Sequence, residues 1–270
     1  MTADISVIIP TFRRPRELAE ALESVCSQSW GNLEIIVVDD SPEQSAREVV
    51  AQCGAGRILY VVNPEPSGGY AARVRNLGAA MATGRLVHFL DDDDRVPPTH
   101  YERILSEFET KPKVGVIFGR VEPFGVDEER VERERLFFVG AARRAARAQW
   151  FGRKFALSRR LAFDRTMLVG GAAMIRRPCI EAIGGFDPSL RIAEDIDFYA
   201  RAIRRFGGYF NDRMALYYRI WNQSIMHTSM LDQNEVQECY RRIHRKFRRD
   251  YGDIDYFISK MINKTLFRVM

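Results

Sequence analysis

The sequence lacks the features of a disulfide-bonded, membrane-spanning or zinc-binding protein. Its 270 residues include only four cysteines, and no two of them form a C-x-x-C pair. We therefore expect reduced cysteines and no zinc site. The longest apolar runs, such as SVII and EIIVV, are far too short to cross a bilayer. The first ten residues, MTADISVIIP, contain no basic segment, so we expect no signal peptide and a cytoplasmic location.

Several common catalytic motifs are also missing. The chain has no GxxxxGK[ST] phosphate-binding loop and no GxGxxG after the first predicted strand. These absences argue against P-loop enzymes and classical dinucleotide-binding enzymes. The four histidines lack the spacing of metal ligands, and no serine lies in a nucleophile-elbow motif. Most familiar hydrolase and oxidoreductase classes are therefore disfavoured.

Strands and helices alternate in the first 120 residues. Five short apolar runs, ISVII, LEIIVV, RILYVV, RLVHFL and VGVIFG, are separated by segments with helical spacing. The runs are continuously apolar, as expected of strands that are covered on both faces. This pattern predicts an α/β fold with a mostly parallel central sheet and helices on both faces.

The rest of the chain is less regular. Residues 123–165 are dense in mixed charge and arginine, and we expect an irregular or partly helical insertion there. MLVGGAAMIRR then predicts a strand, PCIEAIGG a short helix and AEDIDFYARAIRRFG a longer one. The segment NEVQECYRRIHRKFRRDYG predicts a basic amphipathic helix. Its apolar face consists of Val236, Tyr240, Ile243, Phe247 and Tyr251.

Positive charge is concentrated in two regions. The net charge is +5, and arginines are most frequent in residues 141–160 and 239–252. Such patches bind nucleic acid, anionic lipid or a phosphorylated substrate, or they are solvated surfaces without a ligand. The sequence leaves these alternatives open.

Acidic residues follow two of the predicted strands. VVDD ends in Asp39 and Asp40, and FLDDDD ends in Asp91 to Asp94. Ligands of such sheets bind beyond the carboxyl ends of the strands, so these acids should lie at one edge. Aspartate oxygens suit Mg²⁺ or Mn²⁺ held together with substrate phosphates. The alternative is a solvated acidic loop stabilised by the N-terminus of the next helix.

Five segments resemble, in order and spacing, the inverting family 2 glycosyltransferases of the GT-A fold. They are SVIIPTFRRP, EIIVVDDSP, VRNLGAAMATGRLVHFLDDDD, GGAAMIRRPCIEAIGGFDPSL and AEDIDF, and they span most of residues 5–206. The resemblance implies a single GT-A catalytic domain over residues 1–230. Its nucleotide-sugar-binding half would be residues 1–120 and its acceptor-binding half residues 121–230. A C-terminal basic helical extension would occupy residues 231–270.

The resemblance also implies an activity. The enzyme would move a sugar from a nucleoside-diphosphate sugar, with a UDP-sugar favoured, to a hydroxyl of a glycan or lipid-linked acceptor. The transfer would invert the anomeric centre and use Mn²⁺ or Mg²⁺. Because lipid-linked acceptors lie at membranes, the basic surface implies peripheral contact with an anionic membrane at its inner face.

Site residues follow from the resemblance by position. The nucleotide-binding residues would be Pro10, Thr11, Phe12, Asp40, Arg73, Arg75, Asp91 and Asp92. Asp40 would accept a hydrogen bond from the N3–H of uracil or thymine, or from the edge of guanine. Asp91 and Asp93 would be metal ligands, with Asp93 in direct contact. Because four aspartates stand in a row, Asp92 and Asp94 remain alternatives. His227 would complete the metal site or contact the diphosphate, unless it is merely structural.

AEDIDF would supply the catalytic base. An inverting transfer needs one carboxylate near the acceptor hydroxyl, to take its proton as the oxygen attacks. If a helix begins near Glu194, Asp195 lies beside the buried stripe of that helix, whereas Glu194 and Asp197 point well away from it. A carboxylate beside buried surface is more easily desolvated, so Asp195 is the predicted base. The family's "ED" motif implies the same residue.

Three other interpretations remain. A nucleotidyltransferase acting on a sugar phosphate also uses acidic metal ligands, but PTFRRP lacks the glycines of its phosphate loop. A non-enzymatic nucleic-acid-binding protein would explain the arginines, but it would leave VVDD and DDDD unexplained because acids repel phosphates. We therefore expect no nucleic-acid partner. A degenerate, inactive transferase is the third alternative.

Overall fold

The computed structural model describes residues 3–53, 58–68, 70–164, 168–221 and 233–265. The strands are β1 (Ile5–Thr11), β2 (Leu33–Asp39), β3 (Ile58–Val62), β4 (Leu86–Phe89), β5 (Val116–Phe124), β6 (Ala173–Arg176) and β7 (Gly208–Arg219). The helices are α1 (Pro15–Cys26), α2 (Arg47–Cys53), α3 (Ala71–Met81), α4 (His100–Thr110), α5 (Glu128–Phe151), α6 (Phe155–Asp164), α7 (Arg177–Ile183), α8 (Glu194–Phe206) and α9 (Gln233–Thr265). A 3₁₀ turn at Gly170–Ala172 precedes β6.

The strands form one sheet in the order β3-β2-β1-β4-β6-β5-β7. Only β6 runs against its neighbours β4 and β5; the other described pairs are parallel. The predicted mostly parallel sheet is therefore confirmed. In β1 and β2 most side chains are buried on both faces, which explains why these strands read as unbroken apolar runs.

Two apolar clusters lie on opposite faces of the sheet, as β1 illustrates. Val7 and Ile9 belong to a cluster with Leu22 of α1, whereas Ile8, between them, belongs to a cluster with Phe198 of α8. Successive side chains of a strand point to opposite faces, so both faces are covered by helices. The predicted layering is confirmed.

Residues 128–164 are more regular than expected from the sequence. They form two well-defined helices, α5 and α6, within the segment 123–165 that was predicted to be irregular or partly helical. Asp127 caps α5 by accepting a hydrogen bond from the Arg130 backbone N–H at 3.0 Å. Alanine and arginine both have high helix propensity, so this segment can form a long helix. Its many charged residues hid the spacing of the apolar residues that would have predicted the helix.

The C-terminal helix α9 packs on the domain through the predicted stripe. Tyr240, Ile243 and Phe247 are buried in the cluster that also contains Leu161 of α6. Gly252, with φ of +85°, interrupts the helix. Lys246 adds an ion pair to the buried Asp197 of α8 at 3.0 Å. None of the helices in the described part of the chain is long and apolar enough to cross a membrane.

Candidate active site

The carboxyl ends of β1 and β4 meet because the two strands are parallel neighbours. This arrangement places Asp92, two residues after Leu90, against the end of β1. Its carboxylate accepts hydrogen bonds from Thr11 Oγ1 at 2.8 Å and from the Phe12 backbone N–H at 3.3 Å. Arg14 donates to its other oxygen at 3.1 Å. Asp92 therefore holds the two strand ends together, with both oxygens engaged.

Asp91 and Asp93 point to different arginines. Arg75 of α3 donates to Asp91 Oδ1 at 2.6 Å, and Arg14 donates to Asp93 Oδ2 at 2.7 Å. No second side chain among the described residues donates a hydrogen bond to either carboxylate. Asp91 and Asp93 therefore each have capacity left to bind a metal ion at the centre of the acidic loop.

Arg75 connects the acidic loop to the start of α8. Its guanidinium donates to Asp91 and, through Nη1, to Glu194 Oε1 at 2.5 Å. The side chain is almost fully buried and lies 5.6 Å from the centroid of the Phe186 ring. Although burial opposes its charge, Asp91 and Glu194 raise the pKa of Arg75. The two predicted acidic motifs therefore belong to one site.

Burial opposes ionisation of the carboxyls in the acidic loop. Burial, with the neighbouring charge of Asp93, raises the pKa of Asp92 to about 7. Burial also raises the pKa of Asp93, and raises that of Asp94 well above its usual value. Ionising these carboxyls together is costly unless a cation is present.

The donor set fits a hard divalent cation. Asp91 and Asp93 offer carboxylate oxygens, which Mg²⁺ and Mn²⁺ prefer. No three acidic, histidine or cysteine side chains form a ready-made metal cage within the described ranges. Such a site suits a metal that is held by one or two carboxylates and completed by substrate phosphates.

Asp94 is buried beneath the loop. Its Oδ1 accepts a hydrogen bond from the Arg219 backbone N–H at 2.9 Å, and the Arg219 side chain donates to the Asp93 carbonyl at 2.8 Å. Glu20 accepts a further bond from Arg219 at 2.5 Å. These contacts join the loop to the end of β7. Sequence analysis did not identify Arg219, because the contact spans 126 residues.

Asp195 lies at the N-terminal end of α8, beside the 3₁₀ turn. Its Oδ1 accepts a hydrogen bond from the Ile196 backbone N–H at 2.8 Å. A Cβ at Gly170 would lie 3.3 Å from Oδ2, so glycine keeps space open beside this oxygen. Burial and the charge of Glu194 raise the pKa of Asp195 to about 7, against the opposing effect of Arg75. A carboxylate with this pKa is suited to accept a proton near neutral pH.

The helical-wheel argument for the other two acids was wrong. Glu194 and Asp197 are both buried, not directed away from buried surface. Arg75 pairs with Glu194, whereas Arg201 and Lys246 pair with Asp197. Since α3 and α9 cover further sides of α8, the helix is enclosed beyond its apolar stripe. Asp195 differs from its neighbours in having no direct cation partner among the described residues.

Asp40 lies at the end of β2, close to the loop that follows β3. Asp40 accepts hydrogen bonds from Asn63 Nδ2 at 2.6 Å, from the Ser67 backbone N–H at 2.8 Å and from Ser67 Oγ at 2.7 Å. A carboxylate has about four acceptor positions, so one position remains for a ligand. The preceding Asp39 is different, because its bonds to the Ser41 and Ala46 backbone only shape the loop.

The remaining predicted residues lie at the rim or beyond the described chain. Pro10 and Thr11 end β1, and Phe12 is partly exposed with the Arg13 guanidinium 5.0 Å from its ring centroid. Arg73 is exposed and lies over the Tyr70 ring, away from the Arg75 ion pairs. His227 falls outside the residues that the structure describes.

An apolar cavity of about 80 Å³ lies between α5 and the sheet. Phe137 and Phe138 of α5 line it, together with Leu168 and Val169. Of these residues, Val169 directly precedes Gly170 in the chain. No local pattern predicts this cavity, because its walls come from segments that are far apart in the chain.

The family model described as "Glycosyl transferase family 2" matches residues 6–184. The chain therefore belongs to glycosyl transferase family 2. It is 28% identical over 213 residues, or 74% of its length, to an uncharacterized glycosyltransferase of Haemophilus influenzae, of which the match covers 62%. It is 39% identical over 94 residues to a GalNAc(5)-diNAcBac-PP-undecaprenol beta-1,3-glucosyltransferase of Campylobacter jejuni, covering 34% of this chain and 30% of the relative.

Solved structures support the fold. S. aureus TarS 1–349 in complex with UDP-GlcNAc matches with a TM-score of 0.68 and 18% identity, covering 96% of this chain and 70% of that one. Mannosyltransferase PcManGT from Pyrobaculum calidifontis, in complex with GDP-Man and Mn²⁺, matches with a TM-score of 0.64 and 16% identity, covering 95% and 67%. The predicted GT-A fold is confirmed.

Proposed function

We propose that this protein is a metal-dependent inverting glycosyltransferase. It would transfer a sugar from a nucleoside-diphosphate sugar, with a UDP-sugar favoured, to a hydroxyl of a glycan or lipid-linked acceptor. The observation that supports this proposal most directly is that Arg75 forms two ion pairs. One guanidinium holds Asp91 and Glu194, so the candidate metal ligands and the candidate base lie in one site.

The nucleotide half of the site would lie at the ends of β1 and β2. Asp40 has one acceptor position left for an N–H of uracil, and Phe12 offers an exposed ring at the edge of the pocket. The bonds from Ser67 and Asn63 orient Asp40 before a base arrives, which lowers the entropic cost of binding. TarS was solved with UDP-GlcNAc and PcManGT with GDP-Man, so the comparisons are compatible with either base.

The diphosphate would bind at the acidic loop. Asp91 and Asp93 would hold Mn²⁺ or Mg²⁺ through their second oxygens. The metal, when bound, would stabilise the charge of the leaving diphosphate. Arg75 and Arg14 would keep the two carboxylates oriented, and Asp92 would keep the loop against β1.

Asp195 would be the catalytic base. The space beside Gly170 would admit the acceptor hydroxyl next to Asp195 Oδ2, and Asp195 would take its proton. The apolar cavity between α5 and the sheet would bind a nonpolar part of the acceptor. The Campylobacter relative is named for an undecaprenol-linked substrate, which is compatible with a lipid-linked acceptor here. In this scheme residues 1–120 would bind the donor and residues 121–230 the acceptor.

A thermal-shift experiment tests the donor site. UDP should raise the melting temperature more with Mn²⁺ than without it, because the folded state alone binds the nucleotide–metal pair. Asp93→Ala should abolish the metal-dependent part and keep a smaller metal-independent shift. Asp212→Ala, at an exposed acid on β7, is the matched control and should behave like the wild type. Equal metal-dependent shifts in wild type and Asp93→Ala would exclude Asp93 as a ligand.

A further inference from the structure

We propose that an exposed apolar surface at the end of α9 and the α5–α6 junction docks on an anionic lipid bilayer. This surface, the apolar ridge, consists of Ile254, Phe257, Ile258 and Met261 of α9 with Trp150, Phe151 and Phe155. The four α9 residues are spaced i, i+3, i+4 and i+7, so they form one face of the helix. The proposal does not depend on the transfer activity.

Two arginines hold the two parts of the ridge together. Arg159 of α6 donates to Asp255 of α9 at 2.5 Å, and its guanidinium lies 5.7 Å from the Phe155 ring centroid. Arg204 also pairs with Asp255 and lies 4.0 Å from the same ring centroid. Phe155 and the α9 segment are therefore neighbours, and Asp255 is neutralised between two cations.

The ridge residues are strongly exposed for their size. Trp150 is 82% exposed, Ile254 78% and Met261 66%. The earlier stripe of α9, which includes Ile243 and Phe247, is buried against the domain instead. The interruption at Gly252 separates the two stripes. Contiguous exposed apolar side chains mark an interaction surface, and here the same helix supplies both a buried and an exposed stripe.

The charge of the surrounding segments favours a lipid bilayer as the partner. Residues 141–164 contain seven Lys and Arg with one Asp, and residues 233–265 contain eight with five acids. Their combined charge is +9, whereas the whole chain carries +5. A second copy would bring like charges together, which opposes self-association through this face. Anionic headgroups would complement the charge while the apolar side chains enter the interface.

The long cations at the ridge have suitable positions. Arg248 lies 6.0 Å from the Phe257 ring centroid, and Lys260 lies 5.9 Å from that of Tyr256. Long basic side chains of this kind cover apolar surface with their stems and keep their charges at the headgroups. In the arginine-rich segment 239–252, most arginines are paired with acids: Arg241 and Arg245 with Glu238, Arg248 with Asp253, and Arg249 with Asp250. The apolar ridge therefore has to supply part of the attachment.

Vesicle binding of the full chain tests the proposal, with Trp150 as an internal probe. Vesicles of phosphatidylglycerol and phosphatidylcholine should bind the protein and shift its tryptophan emission to the blue, and Trp150→Phe should remove this shift while Trp30 and Trp221 stay in place. Phosphatidylcholine alone should not bind. Phe257→Ser combined with Ile258→Ser should weaken binding by about tenfold or more, since each change removes apolar area from the interface. Val126→Ser is the matched control, because Val126 is 96% exposed but lies outside the ridge; it should bind like the wild type.

Three results would overturn the proposal. The first is no binding of the wild type to anionic vesicles at low salt. The second is equal binding of the double variant, which would assign attachment to charge alone. The third is a wild type that does not bind vesicles but forms a dimer by light scattering, while the double variant is monomeric. That result would make the ridge an interface between copies of the chain. The melting temperature of the variant checks its folding, and transfer activity with a soluble acceptor separates this proposal from the catalytic one.

Discussion

Replacing Asp195 with asparagine tests the proposed base with little steric change. The amide can keep the bond from the Ile196 N–H, and the space beside Gly170 accommodates a side chain of the same size. Removing a positioned general base typically costs about 10²–10⁴-fold in rate. We therefore expect kcat to fall by that factor while UDP and donor affinity stay near the wild-type values.

The pKa of Asp195 gives the prediction a second readout. With a pKa of about 7, roughly one tenth of the side chain is ionised one pH unit below that value. The kcat/KM of the wild type should therefore fall about tenfold per unit below pH 7. The residual activity of Asp195→Asn should lack this acid limb. Whereas activity should rise with pH, the free energy of unfolding of the wild type should fall as pH rises from about 4 to 7. The reason is that the Asp195 carboxyl has a raised pKa, so its ionisation destabilises the folded protein. The variant should thus be at least as stable as the wild type at pH 8.

Nucleoside-diphosphate release, measured across pH with a fixed donor, is the appropriate assay. Asp197→Asn is a control on the same helix, since Asp197 is buried against Arg201 and Lys246. It should lower the melting temperature but keep the pH profile. An active Asp195→Asn together with an inactive Glu194→Gln would refute the assignment and transfer the role to Glu194.

Two further predictions concern the acceptor side and the C-terminal helix. Phe138→Ala should raise the acceptor KM several-fold and leave the donor KM unchanged, because Phe138 lines the apolar cavity. Initial-rate measurements test this, and equal changes in both KM values would contradict the role. Lys246→Met should lower the free energy of unfolding by about 1–3 kcal/mol, because the buried Asp197 loses one of its two cations. If the denaturant unfolding curve of the variant coincides with that of the wild type, α9 does not stabilise the domain through this pair.

Local patterns were sufficient for six of the seven described strands, most helices and the position of the acidic loop. Unbroken apolar runs predicted β1 and β2 because buried parallel strands need apolar side chains on both faces. The same local reasoning failed at α5, where frequent charged residues hid the helical period. It also failed on the depth of Glu194 and Asp197, since a helical wheel includes only one helix and not the neighbours that cover its other sides.

The order of the amino acids is enough to identify the chemical groups of the site: carboxylates after buried strands, a carboxylate at the start of a helix, and a basic C-terminal segment. Which of these groups are available to a ligand depends on the packing of elements that are distant in the chain. Asp92 and Asp93 are adjacent in the chain, yet Asp92 accepts side-chain hydrogen bonds through both oxygens, from Thr11 and Arg14, and Asp93 through one, from Arg14. Arg75 reaches Glu194 across 119 residues, a contact that no local pattern encodes. Hydrogen-bond partners and burial depend on how distant elements pack, and they determine whether a carboxylate braces a loop, binds a cation or accepts a proton.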